Sequence, residues 1–233
     1  MAAALPIPAP IRAIFFDAVG TLIHPDPSAA EVYARVGRSF GSQLDAGTIA
    51  ARFVAAFTKQ EAIDRARGWA TQEEREIARW RAIVREVLND VPDSEACFET
   101  LYQHFSQPDA WRCDPDTEET LSRLSSQGYV LGMASNFDSR LKSIVAGLKP
   151  LQPLHHVVIS SLVGWRKPAL PFFQRLGTVV GISLEQIAYI GDDYDNDYVG
   201  ASQAGLHVVL LDPRGQQPIP GTQRLRRLRD LLG

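Results

Sequence analysis

Cys97 and Cys113 are the only cysteines among 233 residues. Two thiols do not make a disulfide framework. The chain therefore reads as a protein of a reducing compartment, with both thiols buried or idle. Charge of one sign is also scarce, with 24 Lys and Arg against 27 Asp and Glu and a net charge of −3. A basic field of the kind that holds nucleic acid is missing, so no nucleic-acid partner is expected. No apolar run approaches the length of a membrane span, which removes the membrane as a partner. The opening MAAALPIPAP has no basic leader, and prolines at 6, 8 and 10 interrupt its apolar stretch. It is expected to be a loose arm and not a signal peptide, and the protein to be cytoplasmic. Internal repeats and low-complexity segments are absent as well.

What is present is a 45% hydrophobic chain, enough for one substantial domain or two smaller ones. Residues 11–16, IRAIFF, form a short apolar run ended by Asp17 and Gly20, the pattern of a buried strand entering a turn. From residue 25 the period becomes helical. Ser28 with Glu31 spells a capping box, as does Thr71 with Glu74. Val32, Tyr33, Val36 and Phe40 share one helical face. Ile49, Phe53, Phe57 and Ile63 follow on a second stripe, then Ile77, Trp80, Val84 and Val87 on a third. With a fourth helix over 94–106, residues 25–107 read as a helical block without strand signal.

After Pro108 the elements alternate. Helix 116–126 precedes strand 129–135, helix 138–147, strand 156–160, helix 169–180, strand 187–191, helix 195–204 and strand 207–211. Alternation of this kind predicts a doubly wound parallel sheet of α/β class, with strand 11–16 as a member. The expected division is a Rossmann-like core over 1–24 and 108–233 and an inserted helical cap over 25–107. The ending RLRRLRDLL predicts an amphipathic helix with Leu225, Leu228 and Leu232 on one face.

Ligands of such sheets bind beyond the carboxyl ends of the strands. Asp17, Ser135-Asn136, Lys167 and Asp192-Asp193 all fall at those ends, with Asp195 and Asp197 close behind. Asp17 and Asp192 offer hard oxygen ligands suited to Mg²⁺, and the main-chain carbonyl of Val19 can add another whatever its side chain. Ser135 can donate to a phosphoryl oxygen, and Lys167 can offset its charge. A phosphoryl group so held faces a carboxylate nucleophile in line. Gly20 and Thr21, in the turn after Asp17, are expected to contact the phosphate together with Ser135, Asn136 and Lys167. Competing roles stand beside these. Asn136 and Asp138 can cap the next helix, Asp193 and Asp195 can cap helix 195–204, and Trp165 and Arg166 can shape the pocket or pack on the surface. His155 and His156 lack the further ligands a zinc site needs.

FFDAVGTL, MASN, GWRKP and YIGDDYDNDYVGASQAGL resemble the four ordered motifs of the haloacid dehalogenase superfamily. The resemblance covers 11–24 and 110–212, and the insert after the first motif is similar to that family's helical cap. SNFDSRL and GDDYDNDYVGA are most similar to the hydrolase-domain-containing branch related to rhythmically expressed gene 2. The resemblance implies Asp17 as phosphoaspartate nucleophile. It also implies Asp192 as a Mg²⁺ ligand, Asp197 as a ligand or its support, and Ser135 and Lys167 as phosphate binders. A Mg²⁺-dependent hydrolase of a small phosphorylated metabolite is the activity it implies.

Position 19 departs from the family's phosphatases, which carry there an aspartate that protonates the leaving group. Valine transfers no proton, and such help is worth roughly 10²–10⁴-fold. One explanation is a slow phosphatase, or one restricted to good leaving groups, with His24 or a cap acid assisting. Another is a haloacid dehalogenase, which lacks that aspartate but also lacks the Gly191-Asp192 pair. A third is phosphonate cleavage through a cap lysine, for which Lys59 is the sole candidate. A catalytically weak protein with a binding or regulatory role is the non-enzymatic alternative. Substrate identity and oligomeric state are not legible.

Overall fold

The computed structural model describes residue 8 and residues 10–233, so most of the expected N-terminal arm lies outside the described residues. Strand β1 (Ala13–Phe16) leads into a short β2 (Ile23–Pro25) and then into four helices, α1 (Ala29–Ser39), α2 (Ala46–Ala66), α3 (Glu73–Val87) and α4 (Ser94–His104). The chain returns through β3 (Trp111–Cys113), which pairs antiparallel with β2. It continues as α5 (Thr117–Ser126), β4 (Val130–Ser135), α6 (Leu141–Gly147), β5 (His156–Ile159), α7 (Ser160–Val163) and α8 (Leu170–Val180). After β6 (Ile187–Gly191) come a π-helical turn (Tyr194–Val199), α9 (Gly200–Gln203), β7 (His207–Leu211) and β8 (Arg224–Leu225).

The expected parallel sheet is present, in the order β5-β4-β1-β6-β7-β8. Both faces are covered, so each strand reads as continuously apolar, as parallel strands do. Ile14, Phe16, Met133, Ile190 and Val209 join one cluster with Leu121 and Leu124 of α5 and Leu141 and Ile144 of α6. Their alternates Ala13, Phe15, Ile187, Tyr189 and Val208 meet Phe172, Phe173 and Leu176 of α8. β1 lies where the strand order reverses, the usual place for a crevice in an open sheet.

The four helices hold an apolar cluster of their own, including Val32, Ile49, Ile83, Val84, Val87, Phe98 and Leu101. The Ser28 box forms as read, with Glu31 N donating to Ser28 Oγ at 3.4 Å and Ser28 N to Glu31 Oε2 at 3.0 Å. The Thr71 box does not. α3 starts after Gln72, and the Thr71 hydroxyl donates to Glu76 Oε1 at 2.7 Å because the Thr71 amide is drawn to Gly164 O at 3.0 Å. Residues 26–107 hold no strand, as expected, and only Pro25 of the block belongs to β2. The β2–β3 ribbon closes its base, in pieces too short for alternation to show.

The C-terminal helix is a further correction. Arg224–Leu225 instead adds a strand to the edge of β7, with Asp212 N bonded to Leu225 O at 2.8 Å, and a 3₁₀ turn (Leu228–Leu232) follows. The open edge of β7 pairs with this stretch, and its leucines pack into the core cluster beneath the sheet. Leu225, Leu228 and Leu231 are the leucines buried. Among the described residues, no helix is long and apolar enough to cross a membrane.

Candidate active site

Each expected strand end delivers its polar group to one place. Asp17 follows β1, its amide held by Ile190 O of the neighbouring β6 at 2.8 Å. Lys167 arrives on the loop before α8 and is the hub. Its ammonium donates to Asp17 Oδ1 at 2.6 Å, to Asp197 Oδ1 at 2.6 Å and to the Tyr189 hydroxyl at 2.9 Å. Tyr189 in turn donates to Ala134 O at 2.7 Å. Burial opposes the charge on Lys167, but Asp17 and Asp197 outweigh it and raise its pKa well above the ordinary value.

Asp192, after β6, receives the Thr21 hydroxyl at 3.0 Å. Oxygens of Asp17, Asp192 and Asp197 lie within 4.8 Å of one another. Desolvation, together with the charges of Asp17 and Asp197, raises the Asp192 carboxyl to about 7, although the residue's outer side is exposed. Desolvation raises Asp197 to about 6, with Lys167 pulling the other way. Crowded carboxylates of this kind carry an unrelieved negative charge. Once all three are ionised, they leave two negative charges against the one ammonium, which matches a divalent cation that prefers oxygen ligands.

Two glycines make this crowding possible. A Cβ on Gly20, which has φ +95°, would overlap the Asp192 carboxylate, and one on Gly191 would overlap that of Asp197. Gly20 is thus packed against an acid. Thr21 is buried with its hydroxyl committed to Asp192, and it is not among the residues that line the cavity around Asp17.

Behind Asp192 the continuous helix expected over 195–204 begins as a π turn. Asp193 accepts from Asp195 N at 2.9 Å and from Asn196 N at 2.8 Å, and its own amide donates to Asp197 Oδ2 at 3.0 Å. The wider turn swings Asp197 inward to Lys167, a common use of π turns. Asp193 is therefore a capping residue.

Asn136 has neither expected role as its main task. Its amide clamps the lysine loop, with Nδ2 donating to Lys167 O at 3.0 Å and Lys167 N donating to Oδ1 at 2.7 Å. Asp138 is buried and paired with Arg140 at 2.8 Å. Ser135 is buried at the end of β4 and lines the same cavity of ≈ 190 Å³ as Asp17, Val19, Asn136, Lys167, Asp192 and Asp197.

Helices α2 and α3 supply the far wall through Phe57, Glu61 and Arg79. Arg79 belongs to a buried ion cluster that ties those helices to the lysine loop. Asp64 accepts from Arg79 Nε at 3.1 Å and from Arg75 Nη2 at 2.6 Å, and Glu76 pairs with Arg166. Arg166 is consequently a buried strut and not surface packing, whereas Trp165 is exposed. Arg79 Nη2 is buried without a hydrogen-bond partner on a side chain that lines the cavity. Neither Arg79 nor Asp64 was legible as a site residue, since its partners are far away in sequence.

The proposed helpers are elsewhere. His24 faces Asp114 at 3.7 Å, and Lys59 is exposed and bonded to Glu86 at 2.8 Å. Neither lines the cavity.

Residues 11–205 match the family model for haloacid dehalogenase-like hydrolase. The human haloacid dehalogenase-like hydrolase domain-containing protein 3 is 28% identical over 237 residues, covering 95% of this chain and 92% of that one. A glyceraldehyde 3-phosphate phosphatase of Methanopyrus kandleri is 30% identical over 129 residues, 51% of this chain and 54% of its own. A Bacillus subtilis HAD-hydrolase solved bound to magnesium superimposes with a TM-score of 0.75 at 19% identity, covering 95% of this chain and 96% of that one.

Proposed function

The chain belongs to the haloacid dehalogenase-like hydrolases, and from that premise we propose that it hydrolyses a small phosphorylated metabolite through a phosphoaspartate at Asp17. The observation that carries this reading is the lysine hub, an ammonium 2.6 Å from both Asp17 and Asp197 with Asp192 alongside. Asp17, Asp192, Asp197 and the Val19 carbonyl are the ligands we assign to Mg²⁺, which when bound supplies positive charge to the phosphoryl oxygens. Asp17 attacks phosphorus, and its carboxylate is aimed by Lys167. Ser135 donates to a phosphoryl oxygen, and Lys167 balances the charge that gathers in the transition state. Water then cleaves the aspartyl phosphate. Residues 25–107 act as a cap whose wall of Phe57, Glu61 and Arg79 excludes bulk water and sets specificity. The free thiols Cys97 and Cys113 suit a cytoplasmic protein.

Val19 favours a second reading, a metal-binding protein with little turnover and a regulatory role. Incubation with acetyl phosphate and Mg²⁺, followed by mass spectrometry under acid, separates the two. A phosphoryl group on Asp17 that is absent from Asp17→Asn and lost with time supports hydrolysis. An unmodified Asp17 favours the regulatory protein.

A further inference from the structure

Two cavities meet at Val19 and Asn136. One is the charged cavity already described. The other, ≈ 220 Å³, lies between the helices and the sheet and is walled by the rings of Tyr33, Phe53, Trp80, Phe105, Trp111 and Phe137. We propose that this second chamber receives the leaving group, and that the substrate is an aryl phosphomonoester, a phosphate carried on a neutral aromatic hydroxyl. The proposal rests on the phosphoaspartate reading of Asp17 and adds the substrate class to it.

Three observations converge. The first is size and lining. A dry apolar cavity of about 150 Å³ takes up benzene, so the chamber accommodates one ring with small substituents. Its walls present ring edges and faces, as between Tyr33 and Phe53, whose centroids are 5.4 Å apart at 88°. Aromatic guests pack well in such settings.

The second is charge. Arg140 is the one charged residue in the lining, and it is already spent. Its Nε and Nη2 each donate to Asp138 at 2.8 Å, and its Nη1 donates to Tyr102 O at 3.1 Å. A charged occupant finds no free counter-ion there, and desolvating it is costly. The chamber selects a neutral body.

The third is the missing acid. Val19 stands two residues beyond the nucleophile, at the junction of the two cavities, so a leaving group passing into the chamber passes a side chain that donates no proton. The lining's single hydroxyl, Tyr33, has its pKa raised by burial and gives up its proton poorly. The Trp111 indole N–H is committed to Phe105 O at 3.2 Å. Glu61 lines the charged cavity and not the chamber, so a leaving group seated among the rings departs as an anion. A phenol ionises near pKa 10, against roughly 15.7 for water and similar values for aliphatic alcohols. An aryloxide departs unaided where an alkoxide does not.

The chemistry balances without an added reagent. Asp17 Oδ forms a bond to phosphorus as the bond from phosphorus to the aryl oxygen breaks, and the electron pair leaves on the aryloxide. Water then bonds to phosphorus and the bond to Asp17 breaks, giving hydrogen phosphate and a proton. The aryloxide takes up a proton in solvent and leaves as the phenol.

Phenyl and benzyl phosphate test this with the Mg²⁺-loaded full-length protein. Both carry the same ring, but only the first releases an aryloxide. We expect kcat/KM for phenyl phosphate to exceed that for benzyl phosphate by about 10²-fold or more, the worth of the missing acid, and to rise further with more acidic phenols. Val19→Asp should narrow the gap by raising benzyl phosphate. Ala29→Trp, which fills the chamber, should lower the ratio of phenyl phosphate to acetyl phosphate turnover by roughly tenfold. Equal rates on the two esters in the wild type, or an unchanged ratio in a folded Ala29→Trp, overturn the aryl assignment while a phosphoaspartate formed from acetyl phosphate leaves Asp17 in its role. If acetyl phosphate does not label Asp17 either, both readings fall together.

Discussion

The Thr21 hydroxyl reaches across 171 positions of sequence to donate to Asp192 Oδ1 at 3.0 Å. The first motif therefore holds the fourth, and the hydroxyl of Thr21 is spent on a carboxylate of the acidic cluster. Thr21 is one of the few influences that favour the ionised form of Asp192, against burial and two neighbouring carboxylates.

Replacing Thr21 by Val keeps the shape and removes that bond. A hydrogen bond of this kind is worth about 0.5–1.5 kcal/mol. Mg²⁺ binding at pH 7 should accordingly weaken by roughly threefold to tenfold, with Asp192 pushed further above about 7. Titration calorimetry at pH 7 and pH 9 checks it. The deficit should shrink at pH 9, where Asp192 is ionised in both proteins, and Thr21→Ser should restore most of the affinity.

The metal-free protein should behave unusually with pH. Asp192 and Asp197 ionise near 7 and near 6 in the folded chain, both above the ordinary aspartate value of about 3.9. A folded state that holds protons more tightly than the unfolded one loses stability as pH rises between those values. These two groups should therefore destabilise the metal-free protein progressively from about pH 4 to pH 7, and no further above it. Mg²⁺ displaces the same protons, so below pH 6 its affinity should fall by up to roughly tenfold per unit for each proton released. Thermal melts with and without Mg²⁺ should show almost no metal effect at pH 5 and a clear rise in Tm at pH 8. An equal rise at both values would mean that the metal sits elsewhere.

How much of this was visible in the chain depends on where each residue's partners lie. Asp17 and Asp192 end apolar runs, and β–α alternation alone puts such ends on one edge of a sheet. Their convergence was legible for that reason. Asn136 was legible as a position but not as a clamp, because its partner Lys167 lies 31 residues on in a loop. Tyr189 reads as one more core residue of β6, and only the folded sheet shows its hydroxyl against Lys167. The ending RLRRLRDLL has genuine helical periodicity, yet β7's unpaired edge decides its conformation, and an edge has no signature in the segment that will cover it.

Asp64 is the extreme case of a residue hidden from the sequence. It stands on α2, wholly buried, with Arg75 and Arg79 bonded to it and Arg166 nearby. Asp64→Asn should leave those guanidinium groups facing one another with Glu76 as the remaining acid. Removing one partner of a buried pair costs about 3–5 kcal/mol, and urea unfolding should show a loss of that order. The double variant Asp64→Asn with Arg79→Met should recover part of it, since the orphaned charge goes too. A loss below about 1 kcal/mol for Asp64→Asn would mean that water reaches the cluster.

Asn136 gives the sharpest separation of positioning from binding. Both halves of its amide are engaged with the Lys167 main chain, at 3.0 and 2.7 Å, and the ammonium at the end of that side chain aims Asp17. Asn136→Ala deletes the clamp and leaves all three carboxylates in place. Its Mg²⁺ affinity should not fall, because the three carboxylates remain and a loosened ammonium competes less for Asp17 and Asp197. The rate at which acetyl phosphate labels Asp17 should fall by about tenfold or more, since misplacement of a reacting group by about 1 Å costs up to roughly 10²-fold. A direct phosphate contact by Asn136 would instead weaken acetyl phosphate binding, raising the half-saturating concentration while sparing the maximal rate. Single-turnover labelling at several acetyl phosphate concentrations distinguishes the two, because a loosened Lys167 lowers the plateau rate and a lost contact shifts only the midpoint.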